Sequence, residues 1–190
     1  MNPNTKKLTM MAMFTAIGAV LITAVHFPLF PSAAFLQYDP ADVPILICGF
    51  AYGPVAGILV TILASFIQAF FLGGDGIYGF LMHVIATSAL TLVASSIYRT
   101  NHTRKGAVIG LTAGTLAMGV VMMIANHFIT PAFMGAPTEM VDAMLLPVIL
   151  PFNLLKAGIN SVITFLVYKT VSKHIIHAEP KLHKKPANQT

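Results

Sequence analysis

The sequence predicts an all-α integral membrane protein, a six-helix transmembrane bundle with a short second helix. Of the 190 residues, 56% are hydrophobic and only 9% are charged, and the mean hydropathy is +0.80. A soluble domain carries about 25% charged residues. Long apolar stretches also follow one another along the chain, separated by prolines, glycines and short polar loops. One such bundle uses nearly the whole chain and leaves no room for a separate catalytic domain.

The first helix is predicted from about Leu8 to Phe27, ended by Pro28 and Pro31. Two lysines precede this stretch and the small residues 32–34 follow it, a pattern that a secretory signal peptide would also show. The apolar stretch is longer than the 7–15 residues of a usual signal-peptide core. A membrane helix is therefore the favoured interpretation.

The second helix is predicted to be short, with Asp42 as its N-cap, Pro44 in its first turn and its end near Tyr52. About ten residues cannot span roughly 30 Å at 1.5 Å per residue. A half-length helix of this kind lies beside a cavity or inside protein, where its ends can be satisfied.

The third helix is predicted to begin at Pro54 and to reach about Leu72. Residues 73–76, Gly-Gly-Asp-Gly, form a tight loop. The fourth helix is predicted at about 77–98, and a polar connection at 99–105 follows it.

The fifth helix is predicted at about 106–130, ended by Pro131, and the sixth at about 144–173. Pro147 and Pro151 are expected to kink the sixth helix or delay its start. Residues 1–175 are thus predicted to form the membrane domain. The lysine-rich residues 176–190 are predicted to form a polar, disordered cytoplasmic tail.

Charged residues predict the orientation. Ten of the eleven Lys and Arg residues lie at the N-terminus, between the fourth and fifth helices, or at the C-terminal end; the exception is Lys156. Five of the six acids lie in or beside the opposite loops: Asp39, Asp42, Asp75, Glu139 and Asp142. The positive-inside rule then places both termini in the cytoplasm, as six helical segments permit. Topology also explains the net charge of +5 better than nucleic-acid binding does.

A polar stripe runs along the sixth predicted helix, formed at spacings of three and four by Asn153, Lys156, Asn160 and Thr164. A charge in the hydrocarbon region costs roughly 3 kcal/mol even on lenient scales. The stripe is therefore expected to face the bundle interior. There, Lys156 either contacts a ligand or pairs structurally with Asp42 or a carbonyl.

Strongly polar residues from four predicted helices lie at one depth, in the outer half of the bundle: Gln68, His83, Asn126, His127, Asn153 and Lys156. Polar side chains that only form hydrogen bonds between helices would be spread more evenly. This convergence therefore predicts a cavity that opens outward. The two asparagines offer paired donors and acceptors suited to an amide- or imide-like edge.

Metal and catalytic sites are not predicted. His83 and His127 lack a second ligand at metal-binding spacing, so packing is the favoured role for both. The sequence contains no His-Glu-x-x-His, Gly-x-Ser-x-Gly or nucleotide-binding motif. Energy for any uphill transport must come from a gradient or another polypeptide. A membrane enzyme remains an alternative; it would depend on Asp39 or Asp75, which both lie in loops.

Three segments resemble a known family: the stretch from Asp42 to Gly57, the Gly-Asp-Gly loop, and Leu-Pro-Phe-Asn-Leu-Leu-Lys-Ala-Gly at 150–158. They are similar to the substrate-binding components of energy-coupling-factor (ECF) vitamin transporters, and most similar to the riboflavin-specific branch. The resemblance covers about residues 8–173. Folate and pantothenate members share the Tyr-Gly-Pro turn, and residues 63–68 depart from some riboflavin members. Those two vitamins therefore stay open as alternatives.

The resemblance implies a six-helix binding protein that captures the vitamin from outside under a lid formed by the first loop. It implies that Asn153, Lys156 and Asn126 hold the isoalloxazine ring. It also implies first-loop contacts near Gln37 to Asp39. With Gln68 and His83 from the same depth of the bundle, the predicted substrate site comprises Asn153, Lys156, Asn126, Gln37, Tyr38, Asp39, Gln68 and His83. No cofactor is expected, since riboflavin is the transported ligand.

The resemblance also implies partners, namely a membrane coupling subunit and two ABC-type ATPases. An Ala-x-x-x-Ala face on the first helix, Ala12 and Ala16, is implied to dock the coupling subunit. A similar small-residue face on the fifth helix, formed by Gly106, Gly110 and Gly114, predicts close helix approach, internal or with a partner. The expected location is the cell membrane. A stand-alone secondary transporter is a further alternative.

Overall fold

The computed structural model describes residues 2–73 and 75–171. Apart from one pair of two-residue strands, the secondary structure of these residues is helical. Among them, five helical stretches are long and apolar enough to cross a membrane, and an eleven-residue helix is too short. The elements are α1 (Pro3–Ala24), β1 (Phe27–Pro28), β2 (Gln37–Tyr38), α2 (Asp42–Tyr52), α3 (Pro54–Phe71), α4 (Gly76–Thr100), α5 (Arg104–Met134), α6 (Thr138–Met144) and α7 (Leu150–Val171). The predicted tail at 176–190 lies outside the described part of the chain.

The first helix begins and ends earlier than predicted. It starts at Pro3, where Asn2 caps it by accepting a hydrogen bond from the Asn4 N–H, and it ends at Ala24. The prediction that it reaches Phe27 was wrong, because Phe27 and Pro28 pair with Tyr38 and Gln37 in an antiparallel two-stranded ribbon. This ribbon fixes the two ends of the first loop against each other.

The central element is α2, whose residues from Asp42 to Phe50 are all buried. It packs against α1, α3, α4 and α7. The prediction that a half-length helix lies inside protein is confirmed. Its predicted N-cap is wrong, however: Asp42 is the first helical residue, and the Asp39 carboxylate instead accepts the Ala41 N–H at 3.0 Å. The Asp42 carboxylate is used elsewhere, by side chains of α4 and α7.

Pro131 does not end the fifth helix, contrary to prediction; α5 continues to Met134. A proline in a helix removes one hydrogen bond, here to the carbonyl four residues earlier, and so close to the helix end few bonds are affected. The actual end is Gly135, which adopts the left-handed conformation (φ 61°). The N–H groups of Gly135 and Ala136 then satisfy the Pro131 carbonyl.

The sixth helix also begins earlier than predicted, at Thr138 instead of about 144. A π-helical turn over Leu145–Ile149 joins α6 to α7, and there the Leu150 N–H reaches the Leu145 carbonyl five residues back. The wide turn accommodates Pro147, which lacks an N–H to donate. The predicted irregularity is present, but inside a longer helix.

The glycine face of α5 packs internally against α4. A Cβ atom added to Gly110 would lie 2.7 Å from the Ala94 carbonyl oxygen, and one added to Gly114 would lie 2.7 Å from that of Leu90. These contacts require glycine, because a backbone carbonyl cannot move aside. The α4–α5 pair is the most extensive helix contact in the described chain. These two helices form one wall of the binding cavity.

Candidate binding cavity

A cavity of about 280 Å³ lies between the first loop, α3, α4, α5 and α7. Seven of the eight predicted substrate-site residues line it: Gln37, Asp39, Gln68, His83, Asn126, Asn153 and Lys156. Much of the remaining wall is apolar, with Met82, Met118, Met122, Phe133 and Phe152 among the lining residues. A mostly apolar cavity with a few placed polar groups is typical of a small-molecule site.

Tyr38 is the predicted residue that does not line the cavity. Its hydroxyl donates to the Asn160 side-chain oxygen at 3.0 Å, and its ring contacts Phe27 across the ribbon. Burial, reinforced by the Asp39 and Asp42 carboxylates, raises the pKa of Tyr38, so the hydroxyl remains a neutral donor. Tyr38 anchors the loop from the side facing α7.

Lys156 pairs with Asp39. The ammonium lies 2.8 Å from the carboxylate, and both residues are buried, with 6% and 1% of their surface exposed. Burial alone would raise the pKa of Asp39, but the Lys156 charge and the nearby His83 hold that pKa below its usual range. The carboxylate is therefore ionised, and the pair is neutral overall. This pairing satisfies the charge that the sequence places within the membrane.

The first loop is tied to the bundle by a second set of buried bonds centred on Asn160. The Asn160 amide nitrogen donates to the Asp39 carbonyl at 3.1 Å and to the Asp42 carboxylate at 2.9 Å. Thr87 of α4 donates to the other oxygen of Asp42 at 2.6 Å. Both ends of the link between β2 and α2 are therefore held against α7. Helical spacing predicts the place of Asn160 on the polar stripe but not its hydrogen-bond partners.

Asn126 and Asn153 are both held by their own helices. The Asn126 amide nitrogen donates to the Met122 carbonyl at 2.7 Å, and that of Asn153 donates to the Ile149 carbonyl at 2.8 Å. Each amide keeps a second N–H, and no described residue donates to the Asn153 side-chain oxygen. The two side chains are thus fixed in orientation and still offer donors and an acceptor to the cavity.

Two further polar atoms in the wall are buried without a hydrogen-bond partner among the described residues: Gln68 Oε1 and His83 Nε2. The other ring nitrogen of His83 lies 2.8 Å from the Ser65 hydroxyl, which fixes the ring. Buried polar atoms are rarely left unpaired in native proteins. Both atoms therefore have an open hydrogen-bonding position, although His83 Nε2 also lies 3.9 Å from an oxygen of the Asp39 carboxylate.

His127 lies apart from His83 and contacts Asp142 at 2.6 Å, where both side chains are partly exposed. In the described part of the chain, no three His, Cys, Asp or Glu side chains are grouped as a metal site would need. The role of His127 is to join α5 to α6.

An apolar cavity inside a helical membrane bundle, with fixed amides and a neutral ion pair under a tethered loop, defines a membrane protein that binds a small molecule. The family model described as "ECF transporter, substrate-specific component" matches residues 6–168. The chain therefore belongs to the substrate-specific components of ECF transporters, which are transport proteins and not enzymes.

Relatives and a solved structure agree. The chain is 30% identical over 176 residues to "Riboflavin transporter RibU" of Staphylococcus aureus (strain TCH60), covering 90% of this chain and 92% of that protein. It is 31% identical over 172 residues to "Riboflavin transporter FmnP" of Bacillus subtilis (strain 168), covering 86% and 90%. A solved S component of a bacterial ECF transporter superposes with a TM-score of 0.80 at 29% identity, covering 90% of this chain and 98% of that one.

Proposed function

We propose that this protein is the riboflavin-binding subunit of an ECF-type importer. The observation that carries the proposal is the cavity: fixed Asn126 and Asn153 amides, the Lys156–Asp39 pair and an apolar wall face one space. Relatives named as riboflavin transporters support the same ligand. Riboflavin combines a flat apolar ring with an imide edge and a polyol, which matches this distribution of groups.

The charge balance of the cavity favours riboflavin over the other vitamins considered. Lys156 is neutralised by Asp39, and the remaining carboxylate in the wall, Asp75, adds a negative charge. Folate and pantothenate carry carboxylates at neutral pH and would meet no unpaired lysine or arginine among these lining residues. Riboflavin is neutral and avoids that desolvation cost.

In this proposal the amides of Asn126 and Asn153 pair with the imide edge. Lys156 donates to a carbonyl of the ring while it keeps its ion pair with Asp39. Gln37, Gln68 and His83 are available to the polyol. The first loop, held through Asp39 to α7, covers the bound vitamin. Loss of the ligand would leave buried polar atoms unpaired, which links binding to closure of the loop.

The proposed subunit works with a membrane coupling subunit and two ABC-type ATPases, because its own sequence has no nucleotide-binding motif. Ala12 and Ala16 are both exposed on α1 and are proposed to dock the coupling subunit. Both termini are proposed to be cytoplasmic. ATP hydrolysis by the partners then reorients the subunit and releases the vitamin inside.

A ligand panel tests the proposal. Riboflavin, FMN, folate and pantothenate are titrated into the purified protein in detergent, with quenching of flavin fluorescence or calorimetry as readout. Stoichiometric, tight binding of riboflavin alone is expected, with FMN weaker because its phosphate enters a cavity that carries no free cation in its described wall. Tight binding of folate or pantothenate without riboflavin would contradict it. Uptake into vesicles without the ATPases would instead favour a secondary transporter.

A further inference from the structure

A second cavity, of about 390 Å³, opens at the opposite end of the bundle. It lies where α2, α4 and α7 end and α5 begins. It therefore shares no residue with the proposed riboflavin cavity lined by Asn126, Asn153 and Lys156, referred to as the vitamin cavity. By the proposed orientation this end meets the cytoplasmic leaflet.

The floor of the second cavity is a closed aromatic cluster. The rings of Phe50 and Tyr98 stack with centroids 4.3 Å apart, and Tyr168 meets both edge-on at 5.3 and 5.5 Å. Phe50 and Tyr98 are 5% and 8% exposed. Because these rings already pack against one another, they form the base of the cavity and leave no gap between them for another ring. Tyrosines at this depth are typical of the membrane–water boundary.

The rim is basic and carries no acid. His102, Arg104 and Lys169 line the cavity and are exposed. The ion pairs formed within residues 2–73 and 75–171 are His83–Asp39, His127–Asp142 and Lys156–Asp39, and none of them involves Arg104 or Lys169. The chain that follows, residues 172–190, contains four lysines and one glutamate. That segment is itself basic, so it does not complement the rim; an anion does.

The side of the cavity is apolar. Phe165 and Leu166 of α7 line it and are 37% and 69% exposed. A soluble anion would use only the rim. A molecule with an anionic head and a hydrocarbon tail would use both the rim and this side, and basic pockets between helices on the cytoplasmic side bind anionic lipid headgroups in this way.

We infer that the second cavity is a binding site for an anionic phospholipid. Arg104 and Lys169 hold the phosphate, and the first carbons of an acyl chain lie along Phe165 and Leu166. The aromatic floor keeps the ends of α4 and α7 together beneath the headgroup.

Native mass spectrometry of the full-length protein tests the site. Phosphatidylglycerol and phosphatidylcholine with the same acyl chains are titrated into wild type, into Arg104→Gln/Lys169→Gln, and into Arg99→Gln/Lys105→Gln. The last variant loses the same charge at the same end of the bundle, from residues outside the cavity wall. We expect wild type and this control to prefer phosphatidylglycerol, and the cavity variant to bind it roughly thirtyfold more weakly. An equal loss in both variants, or no loss in either, would overturn the inference.

Two parallel measurements complete the test. Inorganic phosphate at millimolar concentration is added as competitor; full displacement of phosphatidylglycerol would show a soluble-anion site and overturn the lipid assignment, whereas retention supports it. Riboflavin titration of both variants reports whether they are folded, since neither pair of residues lines the vitamin cavity. Thermal unfolding followed by circular dichroism reports folding independently of riboflavin. If the three proteins are folded but fail to bind riboflavin, only the proposed transport ligand is contradicted.

Discussion

Lys156 combines a structural role with a proposed binding role in one side chain. Its ammonium neutralises Asp39 at 2.8 Å and faces the same cavity as Asn153, one helical turn away. An unpaired charge at this depth would cost free energy, so burial of Lys156 depends on its ion pair with Asp39. In the proposed site, the ligand therefore meets a donor that is already oriented by a carboxylate.

Lys156→Ala is expected to weaken riboflavin binding by about 2–3 kcal/mol, because it removes a charge-assisted hydrogen bond. Fluorescence titration would measure this as a loss of roughly 30- to 150-fold. Lys105→Ala, outside the cavity, is the control and should bind normally. Adding Asp39→Asn to Lys156→Ala removes the unpaired buried carboxylate, so stability should recover while affinity does not. Unchanged affinity in Lys156→Ala would show that the lysine only anchors the loop.

The Asp39 carboxylate gives a pH prediction. Burial opposes its charge, but Lys156 and His83 together outweigh burial and lower the folded-state pKa of Asp39 below the unfolded value of about 3.9. A lowered pKa stabilises the fold above the unfolded pKa, and that contribution is lost as pH falls below about 4. Asp39→Asn should thus be less stable than wild type from pH 5 to 8, with the difference shrinking below pH 4.

Thermal unfolding followed by circular dichroism from pH 3 to 8 measures this difference. The control is Glu139→Gln, which changes an exposed acid on α6. A constant difference between wild type and Asp39→Asn across the whole range would contradict the pairing.

The site could be predicted in part from the residues themselves. The stripe of Asn153, Lys156 and Asn160 follows from helical spacing, and so does its inward direction. The partners of this stripe could not be predicted, because Asp39 and Asp42 reach it through a loop whose path depends on the Phe27–Tyr38 ribbon. The sequence offered Asp42 or a carbonyl as partner for Lys156; the structure pairs it with Asp39.

At the scale of elements, α4 and α5 form a scaffold whose spacing is set by glycines. The expected outcome of Gly114→Ala is a loss of about 1–3 kcal/mol in unfolding free energy, because the new Cβ would meet the Leu90 carbonyl oxygen. Gly158→Ala is the matched control, since a Cβ there meets nothing within 4 Å. That variant should be neutral or more stable by up to about 1 kcal/mol.

Thermal unfolding reported by a thiol-reactive dye measures both glycine variants, because the buried Cys48 is the sole cysteine of the chain. Equal effects of the two substitutions would contradict the proposed role of close approach.

The length of the apolar stretches predicts which segments are helices, but it does not predict the residues at which the helices end. Pro131 looked like a terminator, yet the stop is supplied by the positive φ of Gly135 four residues later. Asp42 looked like a cap, yet buried donors from Thr87 and Asn160 use its carboxylate instead. At Asp42, tertiary contacts override a local signal that is correct on average, whereas Pro131 is tolerated because it lies so close to the helix end.

At the scale of the whole molecule, the two ends of the bundle have different chemistry. The proposed riboflavin cavity lies at the end that carries five of the six acids, and Arg99, Arg104, Lys105 and Lys169 lie with the second cavity at the other. This polarity suits a subunit that collects its ligand on one side and meets its partners within the membrane and on the other.

Ala12→Trp/Ala16→Trp is expected to abolish assembly with the coupling subunit while riboflavin binding stays normal, because bulky rings would block close helix approach on an exposed face. Co-purification with the coupling subunit measures assembly. The control is Val120→Trp, at a position on α5 that is 59% exposed. Normal assembly of the double variant would place the docking face elsewhere.

Riboflavin binding is tested most directly by the absorbance spectrum of the full-length protein purified in detergent, followed by a riboflavin titration. A riboflavin-binding subunit is expected to be yellow, to show flavin bands and to quench the fluorescence of added riboflavin stoichiometrically. A folded, colourless protein that leaves riboflavin fluorescence unchanged would contradict riboflavin as the ligand.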